Sequence, residues 1–92
     1  MRVVYTREAL RELDGILKMT AAEFPAAYDG FVLRVRSVER RIALWPESAL
    51  SVAEQPGVRM VPLVRYPFKL FYRVTSDTVE ILHIHHAARR VP

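Results

Sequence analysis

The chain has 92 residues, of which 51% are hydrophobic and 26% charged, with a formal net charge of +4 and no cysteine. This size and balance describe one folded domain with one core; they exclude a disordered polymer, and no apolar run approaches the roughly 20 residues of a membrane-spanning helix. Without cysteine there are no disulfides and no thiolate chemistry, and the charged residues that directly follow Val3 to Tyr5 do not make a signal peptide, so a soluble protein of the cytoplasm is expected.

The opening "MRVVY" is short, β-branched and aromatic, which predicts a strand ending at Thr6, a good helix N-cap. From there Leu10, Leu13, Leu17, Ala21 and Phe24 recur every three or four residues, beside Ala9, Ile16 and Thr20, and predict a helix with one apolar stripe. Pro25 suits the first position of a second helix, where its missing N–H costs nothing. Tyr28, Phe31, Val32, Val35, Val38, Ile42 and Trp45 carry that helix to Pro46, which stops it. The short link makes the two helices an antiparallel hairpin, with Trp45 expected to pack within it.

Residues 46–57 read as a loop punctuated by Pro56 and Gly57. The period then changes. "VRMVPLV" (58–64), "FKLFYRV" (68–74) and "VEILHIH" (79–85) are three predicted strands, the last two a hairpin around "TSDT". Pro62 implies an edge or a bulge in the first of them. The order β-α-α-β-β-β gives an α+β fold in two layers, a helical hairpin covering one face of a small antiparallel sheet.

The charge is unevenly spread. Residues 1–57 hold eight Lys/Arg and eight Asp/Glu, whereas residues 58–92 hold six basic residues, Arg59, Arg65, Lys69, Arg73, Arg89 and Arg90, against Asp77 and Glu80. An anionic partner for the sheet region is therefore expected, with a solvated basic face as the alternative. Phe68, Leu70 and Tyr72 alternate as a core face, leaving Lys69 and Arg73 on the other side, where Phe71 stands as an apolar residue for a partner or the C-terminal tail to cover. All three histidines lie in "HIHHAARR", residues 83–90. On an extended strand His83 and His85 share one face, His85 as a partly buried ring and His83 as a solvated or partner-facing one, while His86 takes the opposite face. Two imidazoles with no cysteine fall short of the three or four ligands that zinc needs, so no metal and no cofactor are expected.

Taken together, "VVYTREALRELDGI", "GFVLRVRSVERRIALWPES", "PGVR", "RYPFKLFYRV" and "VEILHIHHAARR" resemble the ParE branch of the RelE/ParE toxin superfamily over nearly the whole chain. The resemblance implies a toxin of a type II toxin–antitoxin pair, bound into a hetero-oligomer by a ParD-like antitoxin whose extended C-terminal segment wraps it. His86 and Arg89 fall on the histidine and arginine of a "His-Gly-Ala-Arg" pattern, with Ala87 in place of the glycine. ParE-like members are similar to proteins that poison DNA gyrase without a catalytic centre, and RelE-like members to ribosome-dependent mRNA endoribonucleases. The nuclease would use Lys69, Arg73, His86 and Arg89, a set that lacks a C-terminal tyrosine or carboxylate. The favoured expectation is therefore a gyrase-binding toxin with no activity of its own and no sequence-specific nucleic-acid binding when alone; the endoribonuclease is the alternative. Partner contacts are expected at Arg59, Arg65, Lys69, Phe71, Arg73, His83, His86 and Arg89.

Overall fold

The computed structural model describes residues 1–88, so Arg89 and Arg90 lie outside the described residues. Strand β1 (Arg2–Tyr5) leads into helix α1 (Arg7–Glu23), a single 3-10 turn (Pro25–Ala27) and helix α2 (Tyr28–Leu44). Strands β2 (Leu50–Ser51), β3 (Val58–Pro62), β4 (Phe68–Val74) and β5 (Thr78–His86) follow. The five strands form one sheet in the order β1-β5-β4-β3-β2. No helix among the described residues is long and apolar enough to cross a membrane.

The two-layer α+β class holds, but the sheet is mixed. The β4–β5 hairpin leaves the outer edge of β5 unpaired, and β1 fills it in parallel, with Arg2 opposite Thr78 and Tyr5 opposite Ile81. On the other edge the expected loop contributes β2, which pairs only Leu50 and Ser51 with Met60 and Arg59. Pro62 stands past the end of β2, at an edge position that does not need its missing N–H.

Thr6 starts α1 as the sequence suggests, its hydroxyl accepting the Ala9 N–H at 3.1 Å. The inward face is Ala9, Leu13, Ile16, Leu17 and Thr20, and the buried Thr20 hydroxyl is satisfied by donating to the Ile16 carbonyl at 2.7 Å. Leu10, Ala21 and Phe24 are exposed, because the core lies about one residue round the helix from the predicted stripe. Phe24, which precedes a proline and is disfavoured in the α region, ends the helix. On α2, Phe31, Val35, Val38 and Ile42 are buried against Leu70, Tyr72, Ile81 and Ile84. Each such side chain contributes roughly 1.5–3 kcal/mol of hydrophobic stabilisation. Trp45, expected inside the hairpin, is 65% exposed at the α2 C-terminus.

Two contacts fix the β3–β4 turn beneath α2. The Phe31 ring meets Tyr66 edge-on, with centroids 5.5 Å apart, and Gly30 leaves the room that Tyr66 needs, since a Cβ there would collide with its hydroxyl. The turn closes through Tyr66 N–H to the Leu63 carbonyl at 2.8 Å, with Arg65 at φ 78°. That angle is usual for glycine at this turn position and costs a side-chain-bearing residue about 1 kcal/mol or more.

Candidate functional site: the end of β5 and its helix clasp

Strand β1 accompanies β5 only as far as Ile81. Beyond it the open edge of β5 is satisfied by α1 and its cap. The Thr6 N–H donates to the Ile81 carbonyl at 3.0 Å, and the Thr6 hydroxyl donates to the Leu82 carbonyl at 3.2 Å. One helical turn and a half later, Glu12 Oε1 accepts the Ile84 N–H at 3.1 Å. A side-chain carboxylate thus replaces a missing strand. The same stretch carries a bulge: Phe71 pairs with His83 but Tyr72 with Ile81, so Leu82 is the extra residue. The bulge turns both Ile81 and Ile84 into the core and puts His83 and His85 together on the opposite face.

Glu12 is the centre of that cluster. Its Oε2 lies 2.8 Å from His85 Nε2 and its Oε1 3.3 Å from His83 Nδ1. Because a carboxylate only accepts, these two ring nitrogens are the donors. Glu8, one turn earlier on α1, brings a second carboxylate to 3.8 Å from His83 Nδ1. The imidazole centroids are 4.7 Å apart, and the side chain of His85 is 1% exposed. His83, expected to be solvated or partner-facing, is enclosed by the chain's own carboxylates. Glu12 was not visible as a site residue in the sequence; the signal that could have found it is the Glu8, Glu12 pair, four residues apart on one helix face, matched to a His-x-His strand.

The other expected contact residues are dispersed. Phe71, expected as an exposed apolar residue, is 1% exposed: its ring is flanked by the Lys69 amine at 5.8 Å and the His85 ring at 5.9 Å, with Met60 opposite on β3. Arg59 donates to the carbonyls of Glu47 and Ala49 at 3.1 and 2.8 Å, which ties the loop before β2 to the sheet beside the Tyr72 to Pro46 hydrogen bond. Arg73 pairs with Glu80 across the hairpin at 2.8 Å. Lys69 pairs in register with His85, and Phe68 with His86, so Lys69, Phe71 and Arg73 share one face while His86 belongs to the other, edge-on to Phe68 at 5.7 Å. The exposed His86 accepts the Ala88 N–H through Nδ1 at 3.1 Å. Arg65 projects from the strained turn beside Gly30, Leu33, Arg34, Ser37 and Tyr66, which line a shallow groove of about 260 Å³.

A second exposed feature was not anticipated. Leu33 and Leu44 lie on the outward side of α2 with Ser37 and Arg40 at helical spacing between them, and Trp45 follows; Leu33, Leu44 and Trp45 are all more than 60% exposed. These are separate exposed apolar side chains, one near the start of α2 and two at its end, set among the arginines on the side away from the core.

Residues 3–91 match the family described as the ParE toxin of the type II toxin–antitoxin system parDE. The fold is similar to a chain solved as part of the chromosomal ParDE TA system from P. aeruginosa, with a TM-score of 0.78 and 27% identity over 94% of this chain and 95% of that one. It is also similar to the YoeB/ParE toxin from Agrobacterium tumefaciens, with a TM-score of 0.61 and 11% identity over 94% of this chain and 98% of that one, a likeness of fold alone. No curated protein sequence matches the chain. A helical hairpin laid on a sheet that ends in the β4–β5 hairpin defines the RelE/ParE-like class of toxins. Within it, this chain belongs to the ParE toxin family of type II toxin–antitoxin systems.

Proposed function

We propose that this toxin acts in the cytoplasm by binding rather than by catalysis: it inhibits DNA gyrase, stabilises broken DNA, and is neutralised by a ParD-like antitoxin in a hetero-oligomer. The observation that carries this reading is the division of the candidate nuclease side chains between two faces. Cleaving RNA through attack of a 2′-OH needs a base, an acid and a cation within hydrogen-bond reach of one phosphate. Lys69 and Arg73 stand on the face opposite His86, and Arg73 is already paired with Glu80. A binding toxin needs only charge and shape held in place, and the guanidinium of Arg65 on its turn and the exposed ring of His86 at the end of β5 offer them.

For the antitoxin, the exposed Leu33 and, three turns further on, Leu44 and Trp45 offer apolar anchors among Arg34, Arg40 and Arg41. An acidic and apolar segment laid along α2 is complementary to them. Expression of the toxin alone, followed by gyrase cleavage-complex and primer-extension assays, tests the proposal. Trapped gyrase–DNA complexes with uncut mRNA support it; codon-specific cuts in translated mRNA that vanish in His86→Ala favour the ribosome-dependent nuclease instead.

A further inference from the structure

Glu12, His83 and His85 present one ligand atom each, all within 4.8 Å of one another, at the junction of α1 and β5. We propose that these three side chains, with Glu8 at the mouth, form a binding site for a divalent transition-metal ion of the zinc type. Around a tetrahedral zinc with ligand distances near 2.1 Å, neighbouring ligand atoms lie about 3.4 Å apart. The separations of 3.3 Å from Glu12 to His83 and 2.8 Å from Glu12 to His85 lie just inside that spacing, and no two of the three ligand atoms are more than 4.8 Å apart. Small side-chain rotations close the set.

The donor set and its support also match. Two imidazoles and a carboxylate are ligands that zinc takes, with a fourth position for water or another carboxylate. Glu8 is well placed for that position, 3.8 Å from the same His83 nitrogen and on the solvent side of the cluster, its side chain 65% exposed. Two carboxylates facing two imidazoles leave a charge of −2 when the rings are uncharged, which a divalent cation balances. The nitrogens that now point protons at Glu12 are those the ion would take in their place. The ligands stand on rigid supports: the Ile84 N–H holds the Glu12 carboxylate, and the buried His85 ring packs against Phe71. Bound metal would fasten α1 to the stretch of β5 whose outer edge β1 does not reach.

The test uses the untagged full chain, dialysed against a chelator and then titrated with zinc chloride or cobalt chloride. One-to-one binding is expected, with the visible band of four-coordinate cobalt. At zinc concentrations about a hundredfold above Kd, the Tm should rise by about 10–20 °C. Zinc should shift the imidazole nitrogen resonances of His83 and His85 and leave those of His86 unmoved. The partly exposed His83→Ala should weaken binding by more than about 100-fold, while His86→Ala should leave it unchanged. The proposal is overturned by failure to find saturable one-to-one binding, or by resonance shifts confined to His86. The resonances are read on the unaltered protein, so the test survives if His83→Ala does not fold. It reads metal occupancy and not toxicity, so its outcome is separate from that of the gyrase reading.

Discussion

Glu12 and His85, 73 residues apart in the chain, meet at 2.8 Å, and through the same carboxylate α1 also caps the Ile84 N–H on the open edge of β5. A buried histidine and an unpaired strand edge are thereby satisfied by one side chain. Replacing Glu12 with alanine removes both acceptors, and hydrogen bonds to a charged group are each worth roughly 1.5–3 kcal/mol. Glu12→Ala should therefore lower the urea-unfolding free energy by about 3–6 kcal/mol. Exchange of the Ile84 amide should accelerate along with it. A loss within experimental error of zero would show that the clasp does not hold α1 to the sheet.

Gly30 and Tyr66 make a paired prediction. A Cβ at Gly30 would strike the Tyr66 hydroxyl, while the next ring atom would lie at an ordinary 3.7 Å. Gly30→Ala alone should destabilise by about 1–3 kcal/mol through overpacking. In a Tyr66→Phe background the collision is gone, and the same change should stabilise by up to about 1 kcal/mol, because alanine is the better helix residue. The sign reversal is read from a double-mutant cycle of denaturation curves; equal effects in both backgrounds would exclude the contact.

Arg65 sits at φ 78° on the β3–β4 turn. Glycine adopts that conformation freely, so Arg65→Gly should raise stability by about 1 kcal/mol. If the strain is kept for the sake of the guanidinium, the same variant should be less toxic. A stabilised variant with unchanged toxicity would remove Arg65 from the binding surface.

Alkaline unfolding tests the β1–α2 contact. Burial, and next the hydrogen bond donated to Glu39, push the Tyr5 hydroxyl well above its ordinary value of 10.0, and burial also raises Tyr72. With a folded pKa above the unfolded one, their contribution is complete below pH 10 and is lost as the pH rises beyond it, because only the unfolded tyrosine ionises there. Stability measured from about pH 9 to pH 11 should fall, and fall less steeply in Tyr5→Phe. Parallel curves for the two proteins would contradict this.

How much of this was legible beforehand depended on whether the determinant was local. Thr6 as a cap, Pro46 as a stop and the alternation of Phe68, Leu70 and Tyr72 are set by neighbours in sequence, and the elements formed where they indicate, whereas Pro25 opens a 3-10 turn and the second helix starts only at Tyr28. The parallel pairing of β1 was not legible, since two helices and three strands separate β1 from β5 in the sequence. Nor was the enclosure of Phe71, which comes from Lys69 and His85 and from the cross-strand register. Counting ligands along β5 gives two imidazoles and no cysteine; Glu8 and Glu12 join them only because α1 lies along the strand's free edge.

The most direct test of the central claim is to incubate purified, antitoxin-free toxin with DNA gyrase, ATP and supercoiled plasmid, and then to trap cleaved DNA with detergent and protease. Linear DNA covalently linked to gyrase should accumulate with toxin dose, diminish with the His86→Ala, Arg89→Ala double variant, and be suppressed by a ParD-like antitoxin. Unaltered gyrase activity at every dose, together with codon-positioned cuts in ribosome-bound mRNA, would contradict the account.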